Sequence, residues 1–254
     1  MNVIKLITPD FFVGKSLVML KTTVDLILMV AKQPSWRSLK LAQLIFTVKP
    51  NFTMVKTNNL VNLYNLVQKV NSRSTIGDIV ECGVWNGGSA AIMASACASS
   101  QGGIDRRIWL FDSFAGLPTP GPRDGAMERK YYFQGMNKGS VEEVKRVFGK
   151  LSLPMENIKI CAGWFSATLP AADIQRIAIL HIDADWYSSV MAVLETMYDK
   201  VVPGGFVVLD DYGYWDGCTQ AIENFIREHK IDGVKLERVA STGAYFQKPN
   251  CSLD

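Results

Sequence analysis

The chain has 254 residues, of which 48% are hydrophobic and 20% are charged, and its formal net charge is +3. This length and composition allow a full hydrophobic core in one α/β domain with an extension. The small net charge, without basic runs interleaved with aromatic residues, argues against nucleic acid as a partner. Five cysteines without CxxC spacing indicate free thiols in a reducing compartment, so we expect a cytoplasmic protein.

Residues 1–56 form a basic and apolar segment, with eight lysines and arginines against two aspartates. Apolar periodicity predicts helices over residues 11–31, 38–48 and 59–70. Charged residues interrupt the first of these, which argues against a membrane-spanning helix. Residues 1–56 are therefore predicted to be a helical lid or oligomerisation segment, ahead of a domain over residues 57–254. We expect a homo-oligomer formed through these helices, with membrane-surface contact as the less favoured alternative.

A strand predicted over residues 78–82 leads into a glycine-rich loop and then into a helix from Ala90 to Ser99. Glycines let a ligand approach the backbone closely, and a helix N-terminus offers unpaired N–H groups to an anion. A second strand, residues 107–111, ends in Asp112, which lies 25 positions beyond Gly87. An acid at this place holds the ribose in nucleotide-type α/β folds.

The segment 177–213 carries the strongest functional signal. Two apolar strands, residues 177–182 and 206–209, flank a helix, and this βαβ unit brings both carboxyl ends to one sheet edge, where α/β sheets bind ligands. Each strand ends in two aspartates, namely Asp183 and Asp185, then Asp210 and Asp211. Clustered carboxylates need a cation among them, and oxygen ligands favour Mg²⁺ before Mn²⁺ or Ca²⁺. The alternative is that these aspartates cap a helix and open a turn.

The remaining pattern completes an α/β fold. It predicts a helix over 141–150, a third strand over 157–161, a helix over 218–229, and a final hairpin with strands over 234–237 and 244–247. Residues 119–139 are predicted to be an irregular excursion, a second candidate for a lid. This order predicts the Rossmann-like, seven-stranded sheet of class I S-adenosylmethionine-dependent methyltransferases, with an antiparallel last hairpin. Glu81 agrees with that donor, because a carboxylate there would meet the methionine ammonium.

Six blocks in order resemble the macrocin O-methyltransferase family, which includes the aminocoumarin sugar methyltransferases. They are F-T-M-V (52–55), V-E-C-G-V-W-N-G-G-S (80–89), F-D-S-F-A-G-L-P (111–118), G-W-F-S-A-T-L-P (163–170), H-I-D-A-D-W-Y-S-S (181–189) and V-P-G-G-F-V-V-L-D-D-Y-G (202–213). The resemblance implies S-adenosyl-L-methionine, a bound Mg²⁺ and methylation of a sugar hydroxyl on a small molecule or a glycan. It does not extend to residues 1–48, and the sequence does not identify the acceptor.

The resemblance also implies a set of site residues. Those beside the cofactor would be Thr53, Met54, Glu81, Gly83, Trp85, Gly87, Asp112, Ser113, Phe114, Gly116 and Trp164. The metal ligands would be Asp183, Asp210 and Asp211. Asp183 would also accept the proton, with Asp185 as the second choice. Trp186 departs from the pattern, because members often have an aliphatic residue there and catechol methyltransferases have a lysine.

Two other functions stay open at this point. A D-x-D motif after a strand, here Asp183-Ala184-Asp185, also binds the metal of a nucleotide-sugar in many glycosyltransferases. The glycine-rich loop 83–89 and Glu81 favour the methyltransferase, since a nucleotide-sugar site does not need them. The remaining alternative is a non-catalytic S-adenosylmethionine-binding scaffold whose N-terminal helices mediate assembly.

Overall fold

The computed structural model describes residues 9–99 and 106–249. The helices are α1 (Pro9–Lys32), α2 (Trp36–Val48), α3 (Thr57–Ser72), α4 (Gly88–Ala98), α5 (Ala126–Tyr131), α6 (Val141–Lys150), α7 (Phe165–Ala171), α8 (Tyr187–Met197) and α9 (Asp216–Glu228). The strands are β1 (Asp78–Cys82), β2 (Ile108–Asp112), β3 (Ile158–Ala162), β4 (Ile177–Ile182), β5 (Val201–Leu209), β6 (Glu237–Arg238) and β7 (Ala244–Gln247). A 3₁₀ turn, Tyr198–Lys200, joins α8 to β5.

The seven strands form one sheet in the order β3-β2-β1-β4-β5-β7-β6. The first five strands in chain order are parallel, and β7 runs antiparallel to both β5 and β6. This arrangement confirms the predicted methyltransferase sheet with its antiparallel last hairpin. The order also puts β1 beside β4 at the centre, so the loops that follow these two strands lie side by side.

Both faces of the sheet are covered, which explains why the central strands β1 and β4 are mainly apolar, with Glu81 and His181 as buried polar exceptions. Successive residues of a strand face opposite sides, so Ile79 packs against α3 and α4 while Val80 packs on the side of α8 and α9. All six residues of β4 are buried. The core on the α3 and α4 side, called the first core below, also includes Leu41 and Ile45 of helix α2. The division at residue 56 stays a prediction.

The predicted boundaries of β1, β4, β7 and α6 agree with the structure. The prediction of a strand over residues 234–237 is wrong for its first three residues, because β7 pairs with only Glu237 and Arg238. Val234 and Leu236 instead pack their side chains against the core. The excursion 119–139 was predicted to be irregular, whereas it contains α5, a helix too short to show an apolar period.

Arg106 ties the end of α3 to the start of the sheet. Its guanidinium donates to the side-chain oxygen of Asn71 at 2.8 Å and to the carbonyl of Val70 at 3.5 Å. It also donates to the carbonyls of Thr75 and Gly77. Replacement of Arg106 by methionine is expected to lower the free energy of unfolding by about 3 kcal/mol, because buried carbonyls lose a charged donor. Urea unfolding followed by circular dichroism measures this change.

Arg227→Met is the matched control, since the Arg227 side chain is 68% exposed and its ion pair with Glu228 is long, at 3.9 Å. An exposed pair of this kind contributes about 0–1 kcal/mol. Equal losses in the two variants would show that the Arg106 contacts do not stabilise the fold.

Candidate active site

A cleft of about 370 Å³ opens at the carboxyl ends of β1, β2, β4 and β5. The sequence-predicted residues that line it are Thr53, Met54, Gly83, Trp85, Asp112, Ser113, Gly116, Trp164, Asp183, Asp185, Asp210 and Asp211. The other three predicted site residues, Glu81, Gly87 and Phe114, are not among its lining residues. The topology accounts for this convergence, because ligands of open α/β sheets bind at the strand ends where the order reverses.

Three carboxylates meet at one end of the cleft. Oxygens of Asp183, Asp185 and Asp211 all lie within 4.8 Å of one another. Their meeting follows from the register of β4 and β5, in which Ile182 lies opposite Leu209, so that the residues after each strand are neighbours. The third carboxylate of this group is therefore Asp185, whereas the family resemblance implies Asp210 as the third metal ligand.

Burial and mutual repulsion make these carboxylates hard to ionise without a cation. Burial raises the pKa of Asp183 well above its ordinary value, and the charges of Asp210 and Asp211 raise it further. Burial likewise raises the pKa of Asp211, with added repulsion from Asp185 and Asp210. One oxygen of Asp211, Oδ2, is buried and has no hydrogen-bond partner in the part of the chain that the structure describes. A cation fits this donor set, since it would neutralise the charges and give the unpartnered oxygen of Asp211 a partner.

Asp185 is held in a fixed orientation. Its backbone lies in the left-handed region, with φ at 54°, which is uncommon for a residue with a side chain. Its Oδ1 accepts a hydrogen bond from the indole Nε1 of Trp215 at 2.8 Å. Burial raises the pKa of Asp185 to about 7, although the bond from Trp215 opposes this shift. A carboxylate with a pKa near neutrality is suited to accept a proton.

Trp186, the departure from the family pattern, is fully buried beside this aspartate. Its ring meets that of Trp215 edge-on, with centroids 5.5 Å apart. Its indole Nε1 donates to the carbonyl of Pro118 at 2.8 Å. The loop after β2 and the turn after β4 are therefore tied together through one tryptophan.

Asp210 connects the cleft to the N-terminal helices. Its Oδ1 accepts a hydrogen bond from the side-chain amide of Asn59, on α3, at 2.8 Å. Lys49, directly after α2, is buried, and burial lowers its pKa to about 8 while the charge of Asp210 opposes that change. Asp210 thus has an amide donor from α3 and a basic side chain from the end of α2 in its vicinity.

The loop after β1 is anchored on Asp112. Its Oδ2 accepts hydrogen bonds from the backbone N–H groups of Val84 and Trp85, both at 2.8 Å. Its Oδ1 accepts one from the N–H of Phe114 at 2.7 Å. A carboxylate offers about four acceptor positions, so Asp112 retains capacity for a ligand hydroxyl in the cleft.

The glycines of this loop are required by neighbouring protein atoms. At Gly83, where φ is +91°, a Cβ would lie 1.7 Å from the carbonyl oxygen of Asp183. At Gly87, where φ is +82°, a Cβ would lie 3.1 Å from the Cα of Val144 on α6. The glycine-rich pattern predicts close approach of a ligand, whereas at Gly83 and Gly87 it is the chain itself that comes close.

Glu81 lies within the sheet. It is fully buried, and its Oε1 is 2.9 Å from Nδ1 of His181, its register partner on β4. Its Oε2 has no hydrogen-bond partner within the described ranges. The predicted contact of Glu81 with a methionine ammonium stays a prediction. Phe114 packs against the first core, which accounts for its place outside the cleft lining.

Exposed apolar side chains frame the mouth of the cleft. Met54, Trp164 and Tyr214 are 55%, 49% and 59% exposed. Tyr214 and Trp215 both line the cleft and stack edge-on, with ring centroids 4.6 Å apart. Sequence reasoning missed these two residues and Asn59. The signal available for the aromatic pair was its position directly after the Asp210-Asp211 strand end, where a parallel sheet places site residues.

The chain was compared with known proteins. The sequence profile of the macrocin O-methyltransferase (TylF) family matches residues 38–248. A Streptomyces olivaceus protein, 8-demethyl-8-(2,3-dimethoxy-alpha-L-rhamnosyl)-tetracenomycin-C 4'-O-methyltransferase, is 33% identical over 77% of this chain and 75% of its own length. Demethyldecarbamoylnovobiocin O-methyltransferase from Streptomyces niveus is 35% identical over the same shares of the two chains, 77% and 75%.

A solved structure agrees with this relationship. The O-methyltransferase NovP superposes with a TM-score of 0.74 at 30% identity, covering 84% of this chain and 99% of its own. The family profile spans most of the chain, and two relatives exceed 30% identity over three quarters of their length. The chain therefore belongs to the macrocin O-methyltransferase family and is an S-adenosylmethionine-dependent O-methyltransferase.

Proposed function

We propose that the protein transfers the methyl group of S-adenosyl-L-methionine to a sugar hydroxyl and that it does so with a divalent cation, Mg²⁺ first. The observation that carries this proposal is the group of three carboxylates, with oxygens within 4.8 Å of one another, in the same cleft as the loop after β1. Family membership supports the methyl transfer, and the carboxylates support the cation.

The donor would lie along the loop after β1 and the end of β2. Backbone groups of Gly83 and Trp85 line that part of the cleft, together with Asp112 and Ser113. Asp112 would accept hydrogen bonds from the ribose hydroxyls, and the exposed face of Trp164 would cover the adenine. S-adenosyl-L-methionine would supply an electrophilic methyl group on its sulfonium.

Asp183 and Asp211 are the cation ligands that we propose, because they belong both to the close carboxylate group and to the set that the family resemblance implies. Asp210 is the third ligand of the implied set. One of its oxygens is engaged by Asn59, which leaves the other oxygen available. A bound Mg²⁺ would lower the pKa of a coordinated sugar hydroxyl and fix its direction.

We assign the proton transfer to Asp185, which reverses the order of preference implied by the resemblance. The pKa of Asp185 is raised to about 7, and the Trp215 indole fixes its carboxylate at 2.8 Å. Asp183, by contrast, is surrounded by acidic neighbours on several sides and is better suited to hold a cation. Asp185 would therefore take the hydroxyl proton as the oxygen attacks the methyl carbon.

The acceptor is proposed to carry its sugar into the apolar mouth of the cleft. The relative from Streptomyces olivaceus is named for a rhamnosyl-bearing compound, and a further relative, mycinamicin III 3''-O-methyltransferase from Micromonospora griseorubida, is 31% identical. Met54, Trp164 and Tyr214 offer exposed faces on which the C–H side of a sugar ring packs. A glycosylated small molecule fits this mouth, and a glycan end is the alternative.

Metal removal is the direct test. With S-adenosyl-L-methionine, a panel of glycosides and about 5 mM MgCl₂, we expect S-adenosylhomocysteine to form. Excess EDTA should lower the rate of its formation about a thousandfold. Mg²⁺ should restore the rate after EDTA. Unchanged turnover in EDTA would contradict the metal role. Binding of S-adenosylhomocysteine without turnover on any glycoside, with or without metal, would favour the non-catalytic scaffold.

A thermal-shift comparison addresses the glycosyltransferase alternative. A ligand that binds only the native state raises the midpoint of unfolding. S-adenosylhomocysteine is expected to raise it and UDP is expected to leave it unchanged, because the sheet order and the family belong to methyltransferases. Stabilisation by UDP alone would overturn the proposed donor.

A further inference from the structure

Helices α1 and α2 form a helical hairpin on the outside of the molecule, defined here by residues 14–48. One side of this hairpin packs inward. Thr22 and Leu26 of α1 are buried, and so are Leu41, Ile45 and Val48 of α2. The four apolar residues among these, Leu26, Leu41, Ile45 and Val48, join the core that lies on the α3 and α4 side of the sheet. The hairpin therefore forms an additional layer over that side.

The opposite side of α1 is apolar as well. Besides Val18, its exposed large apolar side chains are Leu17, Leu20, Val24, Ile27 and Leu28, which are 64%, 62%, 48%, 61% and 54% exposed. Their spacing of three and four residues places them in a single stripe along the helix. A helix that is apolar on two opposite sides is normally buried on both. Within residues 14–99 and 106–249, no side chain covers the outward stripe of α1, although a helix of this composition is normally covered there.

Helix α2 repeats this arrangement. Trp36, Leu39 and Phe46 are 72%, 49% and 51% exposed and lie three and seven positions apart, opposite the buried side. We call these eight exposed side chains of α1 and α2 the outer face. Each of these eight residues is about half or more exposed, so the outer face is a large exposed apolar surface of the kind that marks an interaction site.

The charges along this hairpin are mostly basic. Between residues 14 and 48 the sequence has five lysines and arginines and a single acid, Asp25, which is only partly exposed. Lys21, Lys32 and Lys40 are exposed, whereas Arg37 lies over the ring of Tyr64 on α3 and so faces the inner side. A two-fold interface would set this face against its own copy, so basic residues would meet basic residues with no acid but Asp25 to pair with them. The charge pattern instead complements an anionic surface.

We propose that the outer face rests on a bilayer that contains anionic lipids. The aliphatic side chains would enter the headgroup–acyl boundary, and the basic residues would lie among the lipid phosphates. Trp36 has the amphipathic ring that favours this boundary. In residues 9–99 and 106–249, no helix is both long enough and apolar enough to cross a membrane, so the contact is with the surface.

Vesicle sedimentation of the full chain tests this proposal. Vesicles of phosphatidylcholine with 30 mol% phosphatidylglycerol are compared with vesicles of phosphatidylcholine alone. We expect at least about tenfold tighter binding to the anionic vesicles, and loss of that preference in high salt. Equal binding to both compositions, or no sedimentation with either, would overturn the proposal.

Two variants separate the contributions of the face. Leu20→Ser with Ile27→Ser removes exposed apolar area and should weaken vesicle binding about tenfold or more, with little change in the unfolding midpoint. Lys21→Gln with Lys40→Gln should abolish the preference for anionic vesicles. Ile76→Ser is the matched control, because Ile76 is 46% exposed but lies before β1, away from the hairpin.

Light scattering distinguishes contact with a bilayer from the homo-oligomer that the sequence predicts. If the chain is a dimer without lipid, if Leu20→Ser with Ile27→Ser makes it monomeric, and if neither form binds vesicles, then a second copy covers the outer face and the proposal fails. A chain whose mass is unaffected by these substitutions, and whose vesicle binding they remove, supports it.

Discussion

Replacement of Asp211 by asparagine is expected to lower turnover about a thousandfold or more while leaving the fold intact and slightly more stable. Asparagine keeps the shape of the side chain but removes a charge from the carboxylate group that also contains Asp183 and Asp185. A cation bound there would lose a ligand. Steady-state formation of S-adenosylhomocysteine in excess MgCl₂ measures the first effect.

The expected gain in stability has a separate physical cause. Burial raises the pKa of Asp211 well above its ordinary value, and Asp185 and Asp210 add repulsion. At pH 7 without a cation, ionisation of this buried carboxylate therefore destabilises the folded chain relative to the unfolded chain. The asparagine variant removes that cost, and we expect a rise of about 1 kcal/mol in the free energy of unfolding in EDTA.

The control is Asp199→Asn, an exposed aspartate in the turn after α8, for which we expect neither effect. Mg²⁺ should raise the unfolding midpoint of the wild-type chain and of the control, but much less that of the Asp211 variant. Retention of full activity by the Asp211 variant would remove this residue from the metal site. A large loss of stability would instead indicate a structural role.

The meeting of distant carboxylates was predictable because it depends only on topology. Ile177–Ile182 is apolar except for His181, as a strand covered on both faces requires, and the βαβ rule then places its end beside that of β5. The place of Asp185 in the group was not predictable in this way. It depends on a left-handed backbone at φ 54° and on a hydrogen bond from Trp215, 30 positions away.

The motif position of a residue does not by itself define what its side chain contacts. Glu81 stands at the motif position for an ammonium ligand, yet its carboxylate pairs with His181, which is 100 positions away on the adjacent strand. The motif alone does not show which strand lies beside β1 or what its side chains offer. The same limit applies to Gly83, whose small size is required by the carbonyl of Asp183.

Replacement of Trp215 by phenylalanine is expected to lower kcat about 10–100-fold with little change in the affinity for the methyl donor. The indole Nε1 is the donor that fixes Asp185 Oδ1, at 2.8 Å. Phenylalanine keeps an aromatic ring beside Trp186 but cannot donate a hydrogen bond. The carboxylate would then lose its fixed direction, and small misplacements of an acid–base group cost rate steeply. Steady-state kinetics and calorimetric titration with S-adenosylhomocysteine separate the two quantities.

Trp109→Phe offers a matched comparison within the same chain. Trp109 and Trp215 are 8% and 9% exposed, and the indole of Trp109 donates to Asp78 Oδ2 at 2.9 Å. Both variants therefore lose one indole–carboxylate hydrogen bond, and both should lose roughly 1–2 kcal/mol of stability. Asp78 begins β1 and does not line the cleft, so Trp109→Phe should retain wild-type kcat.

The comparison decides between positioning and general stability. If Trp215→Phe alone loses turnover while the two variants unfold alike, the indole acts on the reaction by orienting Asp185. If both variants lose turnover in proportion to stability, the bond to Asp185 only supports the fold. In that second case Asp183 would again be the better choice for the proton acceptor, because the fixed orientation that favours Asp185 would have no bearing on the rate.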